Sequence, residues 1–443
     1  MPTNGLLKRI GPAFIVGACI IGPGSVTLMS RTGALYGYSM LWLALLSGAL
    51  MAGFIALFMH FGIHSPHTFL EQVRRKLGRW FAVLCGLSLA SVNATFQFGN
   101  NLGVTAATST IWEGAPKLLW PLFFTGLSVA FLFSFKNIYQ LLEKLMTSFL
   151  VLMALAFALN LGWARPSLTD VARGALLPSI PEGADWLTLG GLVATTFVIV
   201  AAFFQSYLVR AKGWSTADLN SGITDTVLAA IMYTGIGCVI MMTAAAVLHP
   251  DRPIDSATAM ASQLEGVFGP YAKLVFCIGF WAAAFSSFIT NALVGGVLIN
   301  DGLGLGGQLN SLPTRIFATL VLMIGMATAM AIIHTDSSAG IVALERSGAE
   351  TTEGDVPESI AKPKQKGEIE IRAIALAQAL TILAVPLGVI AMVVVLFDGS
   401  SMPGHPLSAA SKTFVLLGAA VLLGIALMTA LRVRPAIMAF FGS

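Results

Sequence analysis

Residues 10–30 read Ile-Gly-Pro-Ala-Phe-Ile-Val-Gly-Ala-Cys-Ile-Ile-Gly-Pro-Gly-Ser-Val-Thr-Leu-Met-Ser, with no charged residue. Near the middle stands Gly22-Pro23-Gly24-Ser25. An apolar stretch of this length spans a bilayer as a helix, which needs about 20 residues. A Gly-Pro-Gly step cannot continue that helix, because proline lacks an N–H and glycine favours open backbone. Open backbone at membrane depth is tolerated only where it is buried in protein or lines a water-filled cavity. The break therefore reads as a binding site on a transport path, against the plainer reading of a packing kink. It frees the carbonyls of Cys19 to Gly22 as candidate oxygen ligands, and Ser25 adds a hydroxyl.

The same apolar pattern recurs along the chain. Charge-free windows cover 10–30, 32–70, 80–112, 118–135, 145–164, 186–209, 226–250, 274–300, 316–335, 373–397 and 413–431. The 443 residues are 56% hydrophobic and 10% charged, where a soluble domain averages about 25% charged. The chain is expected to be an all-α integral membrane protein of eleven spans in a lipid bilayer. It reads as one transmembrane domain over 1–443, with no soluble domain. Spans 1–5 occupy about 11–163, spans 6–10 about 186–397 and span 11 about 412–431.

Two polar stretches interrupt the windows. Residues 334–367 carry Glu345, Glu350, Glu353, Asp355 and Glu358, then Lys362, Lys364 and Lys366, and read as a flexible exposed loop. Residues 165–185, with Pro166, Pro178 and Pro181, separate spans 1–5 from spans 6–10. Such a 5+5 division suits a transporter of two inverted repeats, in which span 6 is the partner of span 1 and is also broken. Residues 197–207, Phe-Val-Ile-Val-Ala-Ala-Phe-Phe-Gln-Ser-Tyr, contain no glycine or proline to show where.

Charge sets the orientation. Arg74, Arg75, Lys76 and Arg79 cluster between spans 2 and 3, which places that loop in the cytoplasm by the positive-inside rule. The N-terminus is then cytoplasmic and the C-terminus outside. Lys136, Lys144, Arg210 and Lys212 agree, while Arg432 and Arg434 fall on the opposite side. Lys8 and Arg9 precede the first window, but no small-residue cleavage site follows. The net charge of +4 suits basic membrane loops and indicates no nucleic-acid partner.

Several chemistries lack their residues. Cys19, Cys85, Cys238 and Cys277 lie inside apolar windows as small buried hydrophobes. No phosphate-binding loop, catalytic triad or Cys/His metal motif is present, so neither an enzyme nor a cofactor is expected. No carboxylate lies inside a window, and His60, His64, His67, His249 and His334 sit at span ends. A proton relay needs titratable groups within the membrane, so proton coupling is not expected.

Polar side chains inside the windows are few. Gln378, in Ala-Leu-Ala-Gln-Ala-Leu-Thr ahead of Pro386, reads equally as an ion ligand and as an interhelical hydrogen-bonding group. Asn93, Gln97, Asn100 and Asn101 form a stripe on span 3 that reads first as interhelical glue, with a wet vestibule as the other reading. Ser286, Ser287, Thr290 and Asn291 on span 8 read as packing and interhelical hydrogen bonds.

In order and spacing these pieces resemble the NRAMP family of divalent metal transporters. The resemblance runs through Gly11-Pro12-Ala13-Phe14, Gly22-Pro23-Gly24-Ser25 and Tyr36-Gly37-Tyr38-Ser39. It continues through Leu142-Glu143-Lys144, Ala164-Arg165-Pro166, Leu177-Pro178-Ser179-Ile180-Pro181 and Asp225-Thr226. It ends in Ser286-Ser287 with Thr290, and Ala377-Gln378 with Pro386. It implies a LeuT-type fold of ten core helices plus an eleventh, with helices 1 and 6 unwound.

The departures from the family pattern carry the functional expectation. The family's Asp-Pro-Gly-Asn is Gly22-Pro23-Gly24-Ser25 here, and its Met-Pro-His of helix 6 falls on Ala202, Phe203 and Phe204 when anchored on Tyr207-Leu208. The acidic pair of helix 3 becomes Asn93 and Phe96, while the helix 10 glutamine is kept as Gln378. The resemblance thus puts the metal site on Cys19, Gly22, Ser25, Ile199, Ala202 and Gln378, with Asn93, Phe96 and Phe204 at former proton-path positions. Thioether sulfur suits transition metals, and Mg2+ keeps several of its waters. The pattern resembles the NRAMP-related magnesium transporter branch. It implies uncoupled uptake of largely hydrated Mg2+, with Mn2+ also accepted, by a monomer in a bacterial plasma membrane. Two alternatives stand beside it: a LeuT-fold transporter of a small organic solute such as an amino acid, and a transport-dead membrane sensor.

Overall fold

The computed structural model describes residues 11–348 and 368–441, apart from 113, 136–139, 141–143, 146, 147, 149–154, 156, 251–253 and 255. Among these residues the secondary structure is helical. Span 1 is two helices, α1 (Pro12–Ile20) and α2 (Pro23–Tyr36), bent by 58°. Span 2 is α3 (Leu41–His64). A short amphipathic helix, α4 (Phe69–Leu77), precedes the long span 3, α5 (Arg79–Ser109). Span 4 is α6 (Leu119–Ser134). Much of span 5, with Leu142 and Glu143, lies outside the described residues.

The second half begins outside the spans with α7 (Leu168–Leu176). Span 6 is α8 (Trp186–Thr196) followed by α9 (Ile199–Lys212). Span 7 is α10 (Leu219–Leu248). After the short α11 (Ala257–Ser262) and α12 (Glu265–Phe268) comes span 8, α13 (Ala272–Gly302). Span 9 is α14 (Leu312–Gly348). Span 10 is α15 (Glu368–Thr381) and α16 (Pro386–Phe397), and span 11 lies in α17 (Ala409–Phe441).

Two expected loops are partly helical. The 165–185 stretch contains α7, whose Ser167 hydroxyl accepts from the Asp170 N–H at 3.4 Å to cap its first turn. The stretch from His334 stays helical to Gly348. Residues 349–367, with most of the predicted acidic-then-basic loop, lie outside the described residues.

Burial ranks the spans. The apolar windows of span 6 and span 8 are each 89% buried, whereas that of span 11 is 33% buried. Spans 6 and 8 are therefore central, and span 11 faces the surroundings. Span 8 packs along span 3 at short range: a Cβ on Gly86 would stand 2.7 Å from the Leu298 carbonyl oxygen. Only a residue without a side chain permits that approach, as at close helix crossings in membranes.

The basic helix α4 is held to the ends of several spans. Its Phe69 packs on Phe58 of α3 and Phe203 of α9, with ring centroids 5.4 and 4.7 Å away. Lys76 pairs with Asp398, just after span 10. Apolar residues of α4 face inward, while Arg74, Arg75 and Lys76 sit on its outer side.

Candidate functional site

The helix 1 break opens at two residues. Ile21 (φ −84°, ψ 96°) and Gly22 (φ −135°, ψ −176°) leave the helical region, and Pro23 starts α2 with its ring at the first helical position. The last carbonyls of α1 and the first amides of α2 lose their partners, as at any helix end. One is recovered locally: the Ser25 hydroxyl donates to the Ile20 carbonyl at 2.5 Å. Its oxygen keeps lone pairs for a further donor or a cation. The C-terminal end of α1 brings the negative end of its dipole to the break, which favours a cation there.

The far end of α1 is also fixed. Asp225, buried in α10, accepts from the Gly11 N–H at 2.7 Å and the Ala13 N–H at 2.8 Å. A carboxylate at a helix N-terminus satisfies orphan amides and complements the dipole. Asp301, buried at the end of α13, does the same for α4. It accepts from Leu70 N–H at 3.2 Å, the Thr68 hydroxyl at 2.8 Å and the Tyr207 hydroxyl at 2.6 Å. Both acids lie one residue outside a charge-free window, so the sequence pattern passed over them.

Gly22 faces spans 3 and 8. A Cβ there would stand 2.7 Å from Ser287 Oγ and 3.5 Å from Asn100 Oδ1. Ser287 Oγ accepts from Asn100 Nδ2 at 3.1 Å and from Asn291 Nδ2 at 2.8 Å. Asn291 Oδ1 accepts the Cys19 thiol at 3.0 Å. Asn100 Nδ2 also reaches Gln97 Oε1 at 3.2 Å, and Gln97 Nε2 donates to the Phe288 carbonyl at 2.7 Å. One buried network therefore joins span 1, span 3 and span 8 at the break. Of the two stripes, Gln97, Asn100, Ser287 and Asn291 make the expected interhelical bonds, whereas Ser286 and Thr290 turn back to their own helix; the network also borders the broken backbone.

Gln378 enters from span 10. Its amide fills a slot made by two glycines: Cβ atoms on Gly24 and Gly99 would stand 2.2 and 2.8 Å from its Nε2. Among the described residues no donor reaches its buried Oε1. One turn later Thr381 Oγ1 donates to the Gln378 carbonyl at 2.6 Å, and the helix tightens before Pro386.

Span 6 is broken as expected, immediately before Ile199 and upstream of Ala202, Phe203 and Phe204. Phe197 (φ −98°, ψ 68°) and Val198 (φ −85°, ψ 81°) carry the open backbone. Ala202, Phe203 and Phe204 lie inside α9, and Ile199 is its first residue. The carbonyls released by this break thus lie upstream of Ala202. The cause is visible once known: Thr195-Thr196-Phe197-Val198-Ile199-Val200 is a β-branched and aromatic run of poor helix propensity. Thr195 and Thr196 hydroxyls both turn back to the Leu192 carbonyl, at 3.1 and 2.9 Å, a bond that competes with regular helix.

None of the former proton-path positions is among the nearest neighbours of a Gly22 Cβ. Asn93 Nδ2 donates to its own helix at the Leu89 carbonyl, 3.0 Å away. Phe96 is buried and lines a small cavity with Val92, Phe197, Val198, Ile199 and Thr381, beside the span 6 break. Phe204 is fully buried in α9. The histidines stay at span ends, where His64 stacks between His60 and His405 at 4.1 Å from each. Among the described residues no group of three or more His, Cys, Asp or Glu is arranged to hold a metal ion.

Residues 13–345 match the Nramp family, described as natural resistance-associated macrophage protein-like. The chain is 27% identical over 309 residues to the divalent metal cation transporter MntH of Pectobacterium carotovorum, covering 66% of this chain and 72% of that one. It is 25% identical over 303 residues to the MntH of Erwinia tasmaniensis, with 66% and 71% covered. Its fold superposes on the manganese transporter of Eremococcus coleocola with a TM-score of 0.80 at 15% identity, over 100% of this chain and 90% of that one. It superposes on a nucleobase-cation-symport-1 family transporter with a TM-score of 0.52 at 14% identity, covering 95% and 91%. The architecture is thus the LeuT type.

Proposed function

The chain belongs to the Nramp family, and from that premise we propose that it carries largely hydrated Mg2+ across the membrane, with Mn2+ as a second substrate. As a family member it is a divalent metal transporter and not an enzyme, and the metal is cargo, not cofactor. The observation that carries the Mg2+ reading is the set of side chains against the helix 1 break. Gly22 faces Ser287 Oγ and Asn100 Oδ1, and Gly24 faces the Gln378 Nε2, so the groups at the break are neutral. Mg2+ dehydrates reluctantly and is commonly held through its waters. A neutral amide oxygen such as Asn100 Oδ1 accepts a hydrogen bond from such a shell without stripping it.

Transport is by alternating access, inward, and without protons. The two buried acids near the spans, Asp225 and Asp301, are engaged in capping helices, and Asn93 and Phe96 stand where the family resemblance places acids. The transporter acts as one transmembrane unit over 1–443, as a monomer in a bacterial plasma membrane. The basic face of α4 supports a cytoplasmic N-terminus and an outside C-terminus.

The test is ion influx into proteoliposomes under an inside-negative potential, with one internal dye for Mg2+ and one for pH. Saturable Mg2+ influx above empty liposomes, with no pH change, is the expected result. Mn2+ influx with acidification and no Mg2+ influx overturns both the substrate and the uncoupled mechanism.

A further inference from the structure

The orientation of one amide at the break is forced. The Phe288 carbonyl can only accept, so the Gln97 group that meets it at 2.7 Å is its NH2. Gln97 Oε1 is then the acceptor that faces Asn100, 3.2 Å away. Asn100 must meet it with Nδ2, and its other N–H goes to Ser287 Oγ at 3.1 Å. An amide nitrogen has two donors, and both are spent. Asn100 Oδ1 is left as an acceptor, 3.5 Å from where a Gly22 Cβ would stand. The hydrogen bonds of the Asn100 side chain among the described residues are the two that its Nδ2 donates. A backbone carbonyl on span 8 thus dictates, through Gln97, which atom Asn100 presents to the broken helix.

We propose that Asn100 is a specificity-determining residue whose Oδ1 accepts a hydrogen bond from a coordinated water of the passing cation. This rests on reading the helix 1 break as the ion site. A hydrated divalent cation arrives as a shell of O–H donors, and an amide oxygen held toward the break can accept from one of them. Gln378, whose Nε2 faces Gly24 and whose buried Oε1 has no donor among the described residues, is a second neutral amide at the break. Gln97 is a positioning residue, since it holds the Asn100 amide in this orientation.

The probe is hexaamminecobalt(III), a stable shell of N–H donors that cannot be stripped to the bare ion. Its inhibition of Mg2+ influx, and its binding to detergent-purified protein, are measured for wild type, Asn100→Leu and Asn100→Asp, each with its melting temperature. Asn100→Leu is expected to weaken both inhibition and the Mg2+ KM about tenfold, the loss of one hydrogen bond to a charged ligand. Asn100→Asp, which keeps an acceptor and adds charge, is expected to bind the complex several-fold tighter. Wild-type influx together with unchanged KM and inhibition in a folded Asn100→Leu overturns the role of Asn100 and leaves the transport reading standing. If Asn100→Leu does not fold, unchanged affinity in Asn100→Asp overturns it instead. A wild type with neither influx nor binding of the complex overturns both.

Discussion

Ser287 Oγ occupies the space that a side chain on Gly22 would need, 2.7 Å from the Cβ position. Its two hydrogen bonds from Asn100 and Asn291 hold it there. Gly22→Asp therefore forces Ser287 to move and disturbs the network. Overpacking of this kind costs about 1–3 kcal/mol, read as a lower melting temperature in detergent. Gly22→Asp with Ser287→Gly recovers most of that loss. In the double variant a carboxylate reaches the break, and competition uptake shifts toward Mn2+. Unaltered selectivity in a folded double variant contradicts the hydrated-site argument.

Gln378→Ala removes the amide from the slot between Gly24 and Gly99 and is expected to weaken ion uptake. Gly99→Val should produce the same defect from the other side, since its side chain would enter the space of Gln378 Nε2. Wild-type uptake kinetics in both would show that Gln378 only joins helices. The relevant measurement is the KM for Mg2+ in proteoliposomes.

Ser25→Ala strips the Ile20 carbonyl of its donor at 2.5 Å. A lost hydrogen bond of this kind costs about 0.5–1.5 kcal/mol, so folding is expected to survive. Uptake is expected to weaken, because the break loses both its local tie and a hydroxyl oxygen. Unchanged kinetics in both Ser25→Ala and Gln378→Ala would sink the assignment of the site to this break.

Asp225→Ala leaves the first amides of α1 without their buried acceptor. The expected loss is about 2 kcal/mol, the upper end for an N-terminal cap. Asp225→Asn keeps an oxygen for one of the two amides and should lose less. A thermal-shift series on the two variants ranks them, and equal stability would exclude the cap as the reason.

Tyr207→Phe deletes the 2.6 Å donor to the buried Asp301 carboxylate. Hydrogen bonds to charged groups contribute about 1.5–3 kcal/mol, so the variant is expected to be clearly less stable. The same protein should still take up Mg2+ without moving protons. Proton influx that depends on Asp301 would refute the assignment of this acid to holding α4.

The membrane class and the helix 1 break were legible because each rests on local chemistry. Charge-free length is a property of the chain, and Gly22-Pro23-Gly24 breaks a helix whatever surrounds it. The span 6 break was half legible. Its β-branched run from Thr195 to Val200 is a weak signal, since tertiary context routinely overrides propensity. Anchoring on Tyr207-Leu208 placed the motif downstream of the residues that open.

Tertiary structure alone decided what faces the break. Asn100, Ser287 and Asn291 are 187 and more residues apart in part, yet meet in one network beside Gly22. Nothing in the spacing of span 3 says which of its four amides reaches the open backbone, because that depends on how spans 1, 3 and 8 cross. The roles of Asp225 and Asp301 were hidden for the same reason: each caps a helix far from it in sequence. The sequence by itself determined a membrane-spanning helical chain with a broken first span, since burial of apolar length and helix-breaking residues act locally. Which neutral polar groups gather at that break was decided only by helix packing, since hydrogen bonds form only between groups the fold brings within about 3.2 Å.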